Sequence, residues 1–169
     1  MNPSKLSLFF TLCLIFISQA HGAGLFEALC AATGQGNDRC LQLLKDDPEI
    51  ASAKTDLDLC KLVLKFGLKK ATEAQNYLKE LGKTNPSPAI QQCATFHYDG
   101  VIGSFKSSLG ELVEDSMTSN YDAKVAGDGT MGCDTALAKA NINDPTITAL
   151  NKEVSLISIV AYFATNKLP

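Results

Sequence analysis

DLDLCKLVLKFGLKKATEAQNYLKEL, residues 56–81, is the stretch on which the fold turns. Within it Cys60, Leu64, Gly67, Ala71, Ala74, Leu78 and Leu81 recur at alternating steps of four and three. That averages about 3.5 residues, the period of a helical seam facing neighbouring helices in a bundle. Cys60 lies on the seam, where a free cysteine serves as a small buried hydrophobe rather than a redox sensor.

Toward the C-terminus, Gly82 is expected to stop this helix, and Asn85-Pro86-Ser87-Pro88 is a break. Ser87 can cap a second helix whose first position is Pro88, where the missing N–H has no cost. Ile90, Ala94, Tyr98, Val101, Phe105, Leu109 and Leu112 mark its apolar face, and it is expected to run to about Met117. Ser119-Asn120 leads into a third helix from Tyr121, with an irregular middle expected around Gly127, Gly129 and Gly132. Asn143-Asp144-Pro145 repeats the cap-then-proline signal for a fourth, with Ile147, Leu150, Val154, Ile157, Ala161, Ala164 and Leu168 on one face. No stretch alternates as a strand. The expectation is an all-α fold, an antiparallel four-helix bundle over residues 55–169.

Toward the N-terminus, Gly24 to Asp47 suggests two short helices around Thr33-Gly34-Gln35-Gly36, so 24–54 is expected to be a helical hairpin and linker. Cys30 and Cys40 flank its turn. A bridge between them would close the hairpin and stabilise it by about 2–4 kcal/mol, because short isolated helices are marginal in water.

The first residues bear on the compartment. Lys5 precedes an apolar run, Leu6 to Ile17, and small residues follow at Ser18, Ala20 and Gly22. This predicts a secretory signal peptide over 1–22, since the run is shorter than the roughly 20 residues a membrane span needs. No later stretch reads as a span and no C-terminal lipidation signal follows, so the 23–169 chain is expected to be soluble, extracellular and free of the membrane. Cys13 lies in the signal. Cys30, Cys40, Cys60, Cys93 and Cys133 then make two bridges and one spare thiol, with several pairings open. Cys60, on the seam, is the expected spare. Asn85-Pro86-Ser87 carries the proline that forbids N-glycosylation.

Beyond the signal, 14 basic residues stand against 18 acidic ones, a net −4. That balance disfavours nucleic acid as a partner and suits a protein. The search for chemistry is short. His21 lies at the cleavage site, and His97 alone cannot assemble a zinc site. There is no Gly-x-Ser-x-Gly elbow, phosphate-cradling loop or His-Glu-x-x-His helix, and Gly127-Asp128-Gly129-Thr130 follows no strand. Glu111, Glu114 and Asp115 could be tested as a glycosidase pair, but a carbohydrate cleft needs aromatic walls and the chain has no tryptophan. The expectation is a protein that is not an enzyme and holds no metal and no cofactor.

Taken in order, several features resemble one family. They are the signal, Cys30 with Thr33, Cys40 ten residues on, Asp46-Asp47-Pro48, Gln92-Cys93 before an aromatic-bearing helix, Tyr121-Asp122, and Cys133-Asp134. This order and spacing is similar to that of the plant invertase and pectin methylesterase inhibitors, over nearly all of 23–169. The resemblance implies an N-terminal hairpin on a four-helix bundle with bridges Cys30–Cys40 and Cys93–Cys133. It further implies a non-catalytic apoplastic inhibitor that covers the active site of a cell-wall carbohydrate enzyme in a 1:1 complex.

Departures are specific. The family's proline before the second cysteine is absent, with Gly36-Asn37-Asp38-Arg39 in that region. Its tyrosine four residues after the third cysteine is His97 here, with Tyr98 beside it, and the stretch from Tyr121 to Cys133 is shorter than usual. Packing near the second bridge is therefore expected to differ. Asn120-Tyr121-Asp122 stands where invertase inhibitors can present Pro-Lys-Phe, whereas Asn166-Lys167-Leu168-Pro169 is more like the pectin methylesterase inhibitors. A last-helix cysteine often found in the latter is missing. Pectin methylesterase is the expected target and acid invertase the alternative. A non-inhibitory apoplastic or pollen-type carrier is the reading from another class. The expected contacts are Glu111, Glu114, Asp115, Asn120, Tyr121 and Asp122, polar residues around one aromatic anchor near the turn between the second and third helices.

Overall fold

The computed structural model describes residues 24–45 and 47–169. The expected signal segment and its cleavage site lie outside the described residues, as does Asp46 of the Asp-Asp-Pro motif. Among the described residues three short α-helices come first: α1 (Leu25–Ala31), α2 (Asn37–Leu44) and α3 (Pro48–Ala51). The first long helix is α4 (Asp56–Thr84). The second rod is α5 (Pro88–Gln92), a π-helical turn (Cys93–His97) and α6 (Tyr98–Glu111) end to end. The last two are α7 (Ser116–Lys139) and α8 (Pro145–Thr165). No strand occurs among the described residues.

Local chemistry sets the starts. Thr55 accepts from the Asp58 amide to begin α4, and Asp144 accepts from the Thr146 and Ile147 amides to begin α8 with Pro145 behind it. Asp47 does the same for α3. Each satisfies amides that have no partner within the helix. Ser87 precedes α5 with Pro88 at its first position, but its hydroxyl makes no capping bond.

Three boundaries and one helix interior differ from the sequence expectation. The first long helix passes Gly82 and ends at Thr84, because glycine weakens a helix without ending it. The second rod ends at Glu111, not Met117, and α7 begins at Ser116 rather than Tyr121 because Asp115 caps it. The glycines of the third helix do not break it: α7 is continuous through Gly127, Gly129 and Gly132. A Cβ on Gly129 would stand 2.6 Å from the His97 carbonyl oxygen, and one on Gly132 would stand 2.5 Å from the His97 ring. These glycines let α7 close on the second rod, and tertiary contact outweighs their cost of about 1 kcal/mol each in helix propensity.

The long helices form an antiparallel bundle in cyclic order α4, α6, α7, α8, with α4 diagonal to α7, and the short helices lie against α4 and α8. By length and composition α8 passes as a membrane span, contrary to the sequence expectation. In the bundle it is a core helix: Ile147, Val154, Ile157, Val160 and Ala161 are buried, and Glu153 makes a 2.8 Å ion pair with Lys70.

Two disulfides staple the fold as the family resemblance implied. Cys30–Cys40 closes the α1–α2 hairpin, and Cys93–Cys133 joins the π-helical turn to α7 with Cα atoms 4.8 Å apart. Cys60 is free and 1% exposed. Burial first, and then the Asp56 charge, push its thiol up to about 12, against a smaller opposing effect of Lys167. Protonated and covered, it is no nucleophile.

The π-helical turn resolves the tyrosine departure. A regular helix from Cys93 would bring residue 97 inward four positions later; the turn takes up one extra residue and brings Tyr98 there instead. Tyr98 is 0% exposed, and its hydroxyl donates to Asn151 Oδ1 at 2.7 Å. Asn151 Nδ2 in turn donates to Asp134 Oδ1 at 2.6 Å, tying α6, α8 and α7 together. Gln75 of α4 supports the turn by donating to the Ala94 carbonyl at 2.9 Å.

Candidate functional site

The helix α7 has two faces of contrasting size. Ser119, Ala123, Ala126, Thr130, Cys133 and Leu137 step four, three, four, three, four along its inner side and are all buried. Met117, Tyr121, Lys124, Asp128, Met131 and Thr135 follow the same rhythm on the outer side and are all exposed. Met117 is 83% exposed, Tyr121 65% and Met131 58%, with Val113 at 71% on the turn just before. Of the larger apolar side chains of this helix, Met117, Tyr121 and Met131 therefore face outward, while Leu137 near its end is buried.

The inner face packs by closeness. The Ser108 hydroxyl donates to the Ser119 carbonyl and the Ser119 hydroxyl to the Ser108 carbonyl, both at 2.8 Å, clipping α6 to α7. Ser158 of α8 donates to the Ala123 carbonyl at 2.7 Å from the other side. Such pairs satisfy buried hydroxyls that would otherwise cost about 1–3 kcal/mol each. They also hold α7 rigidly, so its outer side chains are presented in a fixed array.

Of the contacts expected from the sequence, Tyr121 and Glu114 point freely outward. Glu111 and Asp122 are half-buried. Asp115 is occupied: its carboxylate accepts from the Thr118 amide at 2.9 Å and the Thr118 hydroxyl at 2.7 Å, which hold its carboxyl below the usual range. Asn120 is occupied too, donating to the Tyr162 carbonyl and the Thr165 hydroxyl of α8. Val113, Met117 and Met131 were missed. Their four-three rhythm was present in the sequence, but rhythm alone does not say which face is inside.

The chain end adjoins this region: the Ser116 hydroxyl donates to the Pro169 carbonyl at 2.5 Å, which sets Asn166–Pro169 beside the start of α7. The surroundings are acidic, with Lys106, Lys124 and Lys139 against seven carboxylates between residues 88 and 139. Among the described residues no three His, Cys, Asp or Glu side chains come together to hold a metal. The arrangement offers exposed apolar side chains, Val113, Met117 and Tyr121 together and Met131 beyond Lys124 and Asp128, with an acidic rim, and among the described residues it pairs no nucleophile with a base.

The comparisons with known proteins agree with this architecture. No curated protein sequence matches the chain. A mutant form of a pectin methylesterase inhibitor from Arabidopsis has a similar crystal structure, with a TM-score of 0.74 at 20% identity, covering 87% of this chain and 99% of that one. Another crystal structure, of a pectin methylesterase inhibitor from Arabidopsis thaliana, has a TM-score of 0.64 at 20% identity, covering 88% and 98%. At that identity the likeness is one of fold. The family model described as plant invertase/pectin methylesterase inhibitor matches residues 24–163, from the first described helix almost to the end of α8. With its staples, hairpin and bundle all accounted for over that span, the chain belongs to the plant invertase/pectin methylesterase inhibitor family.

Proposed function

We propose that this chain is a secreted, non-catalytic inhibitor that docks the outer face of α7 and the α6–α7 turn over the active site of a pectin methylesterase in a 1:1 complex. The observation that carries the proposal is the exposed set Met117, Tyr121 and Met131, held outward on a helix whose small inner residues lock it in place, with Val113 exposed on the turn before it. Exposed apolar groups with a polar rim are the composition of a protein-binding patch. A stable complex buries about 1,200–2,000 Å² in total, which one helix face and its adjoining turn can begin to supply and the acidic rim can complete. Family membership and the two similar inhibitor folds support the choice of target class. The absence of Pro-Lys-Phe at 120–122 favours pectin methylesterase over acid invertase.

The test is titration of the purified secreted chain into assays of a pectin methylesterase and an acid invertase. Stoichiometric loss of pectin methylesterase activity is expected. Tyr121→Ala should weaken inhibition about 30-fold, the effect of losing one hot-spot residue of roughly 2 kcal/mol, and Met117→Ala should add to it. Both residues are exposed, so melting temperature should not move. Inhibition of invertase alone would redirect the assignment; inhibition of neither enzyme would favour the carrier reading.

A further inference from the structure

The net acidity of the chain conceals a basic trough on the side of the bundle away from α7. Lys61, Lys65 and Lys69 recur one turn apart along α4, so their ammonium groups rise along one edge at steps of about 6 Å. Beside them a groove runs between α4 and the hairpin and linker, in three connected segments of about 330, 300 and 570 Å³. The middle segment shares Glu49, Leu62 and Lys65 with one neighbour and Pro48, Phe66 and Lys69 with the other, so the three are one trough. It follows about 18 Å of α4, from Asp58 to Lys70. Lys54 stands at one end and Arg39 with Lys70 at the other.

The charges in this trough are unequally committed. Among the described residues Lys54, Lys61, Lys65 and Lys69 form no ion pair, whereas Lys70 is paired with Glu153. Of the carboxylates along the walls, Asp47 caps α3 and Asp58 accepts from the Thr55 hydroxyl. Those bonds leave both carboxylates charged, so Arg39, Lys54, Lys61, Lys65, Lys69 and Lys70 stand against Asp47, Glu49, Asp58 and Glu153 along the lining, a net +2. In the middle segment the floor is apolar, made by Pro48, Leu62 and the half-buried Phe66 ring, over which the Lys70 ammonium lies 5.6 Å from the centroid; the segment toward Arg39 is mainly polar.

We infer that this trough binds a linear polyuronate, a polysaccharide chain whose sugar rings carry carboxylates. A row of point cations matches regularly spaced carboxylates along an extended chain. An aromatic and aliphatic floor suits the C–H faces of sugar rings, and Glu49 can accept a sugar hydroxyl. The trough is long, shallow and open at both ends, which fits a chain rather than a compact small molecule. Because α4 lies diagonal to α7, the trough and the outer face of α7 can be occupied together, and the inference does not rest on the inhibitor assignment.

The experiment is calorimetric titration of the full secreted chain at low ionic strength with three probes: decagalacturonate, its fully methyl-esterified counterpart, and a polyglutamate of equal charge. Decagalacturonate should bind and weaken steeply with added salt, while the neutral ester should not bind. The variant Lys61→Gln/Lys65→Gln/Lys69→Gln should lose at least about tenfold in affinity, while Lys106→Gln/Lys139→Gln, on other helices, should bind as the parent does. The triple variant should inhibit its enzyme unchanged, which separates failure here from failure of the inhibitor assignment. The inference is overturned by no binding, by equal binding of the ester, or by a triple variant that binds like the parent. Equal binding of polyglutamate would also overturn it, in favour of an acidic protein partner.

Discussion

The helices α4 and α7 stand at opposite corners of one bundle and bury their inner faces by different means. The first puts large side chains inward: Leu59, Val63, Leu64 and Leu78 are all at most 1% exposed. Its outer face is left to polar residues, among them Lys65, Lys69, Thr72, Glu73, Asn76, Lys79 and Glu80. The second puts Ser, Ala, Gly and Thr inward and keeps only Leu137 as a large buried residue, so Met117, Tyr121 and Met131 remain outside. A helix that packs by volume leaves a polar, soluble exterior; one that packs by closeness can retain apolar groups for a partner. The contrast is not complete, since Gly67 of α4 admits the Phe105 ring where a Cβ would stand 2.6 Å away.

Single substitutions should separate the two modes. The largest effect is expected in α4. Leu64→Ala removes a fully buried side chain and should cost about 2–5 kcal/mol in urea unfolding, the transfer loss plus a cavity. A loss below about 1 kcal/mol would mean that the α4 seam collapses around the gap and is not packed by volume.

In α7 the damage should come from addition. Gly129→Ala places a methyl against the His97 carbonyl and Val101, where overpacking costs about 1–3 kcal/mol, offset by about 1 kcal/mol gained in helix propensity. Net destabilisation is expected despite the better helix former. A melting temperature above that of the parent would show that α7 does not need close approach at this point.

The smallest effect concerns the residue between the two helices. Burial lowers the His97 pKa below its ordinary 6.5, and Nε2 has no hydrogen-bond partner among the described residues. Because the unfolded chain then binds the proton more readily, the contribution of His97 to stability is complete above about pH 6.5 and is lost as pH falls through the lowered folded value. The parent should therefore lose more melting temperature than His97→Gln between about pH 7.5 and 5. Parallel curves for the two proteins would remove His97 from the account.

Much of the fold was legible in the sequence because its signals are local. The seam of α4, the proline after Asp144 and the hairpin turn between Cys30 and Cys40 each act within a few residues. The functional face was legible only in part. Tyr121 stood out as an aromatic near a turn, yet Asp115 and Asn120, chosen with it, are engaged in a cap and in bonds to α8. Nothing in the residues around Asn120 tells that a carbonyl of Tyr162, forty-two positions away, will claim its amide.

Sequence by itself determined the class of architecture, the spare cysteine and most of the breaks between helices, because period, caps and prolines act over one or two turns. Tertiary structure decided which side of α7 faces solvent, why three glycines there do not break a helix, and how a π-helical turn brings Tyr98 to the core. Those outcomes depend on how near a second helix can come, a distance that no single segment encodes.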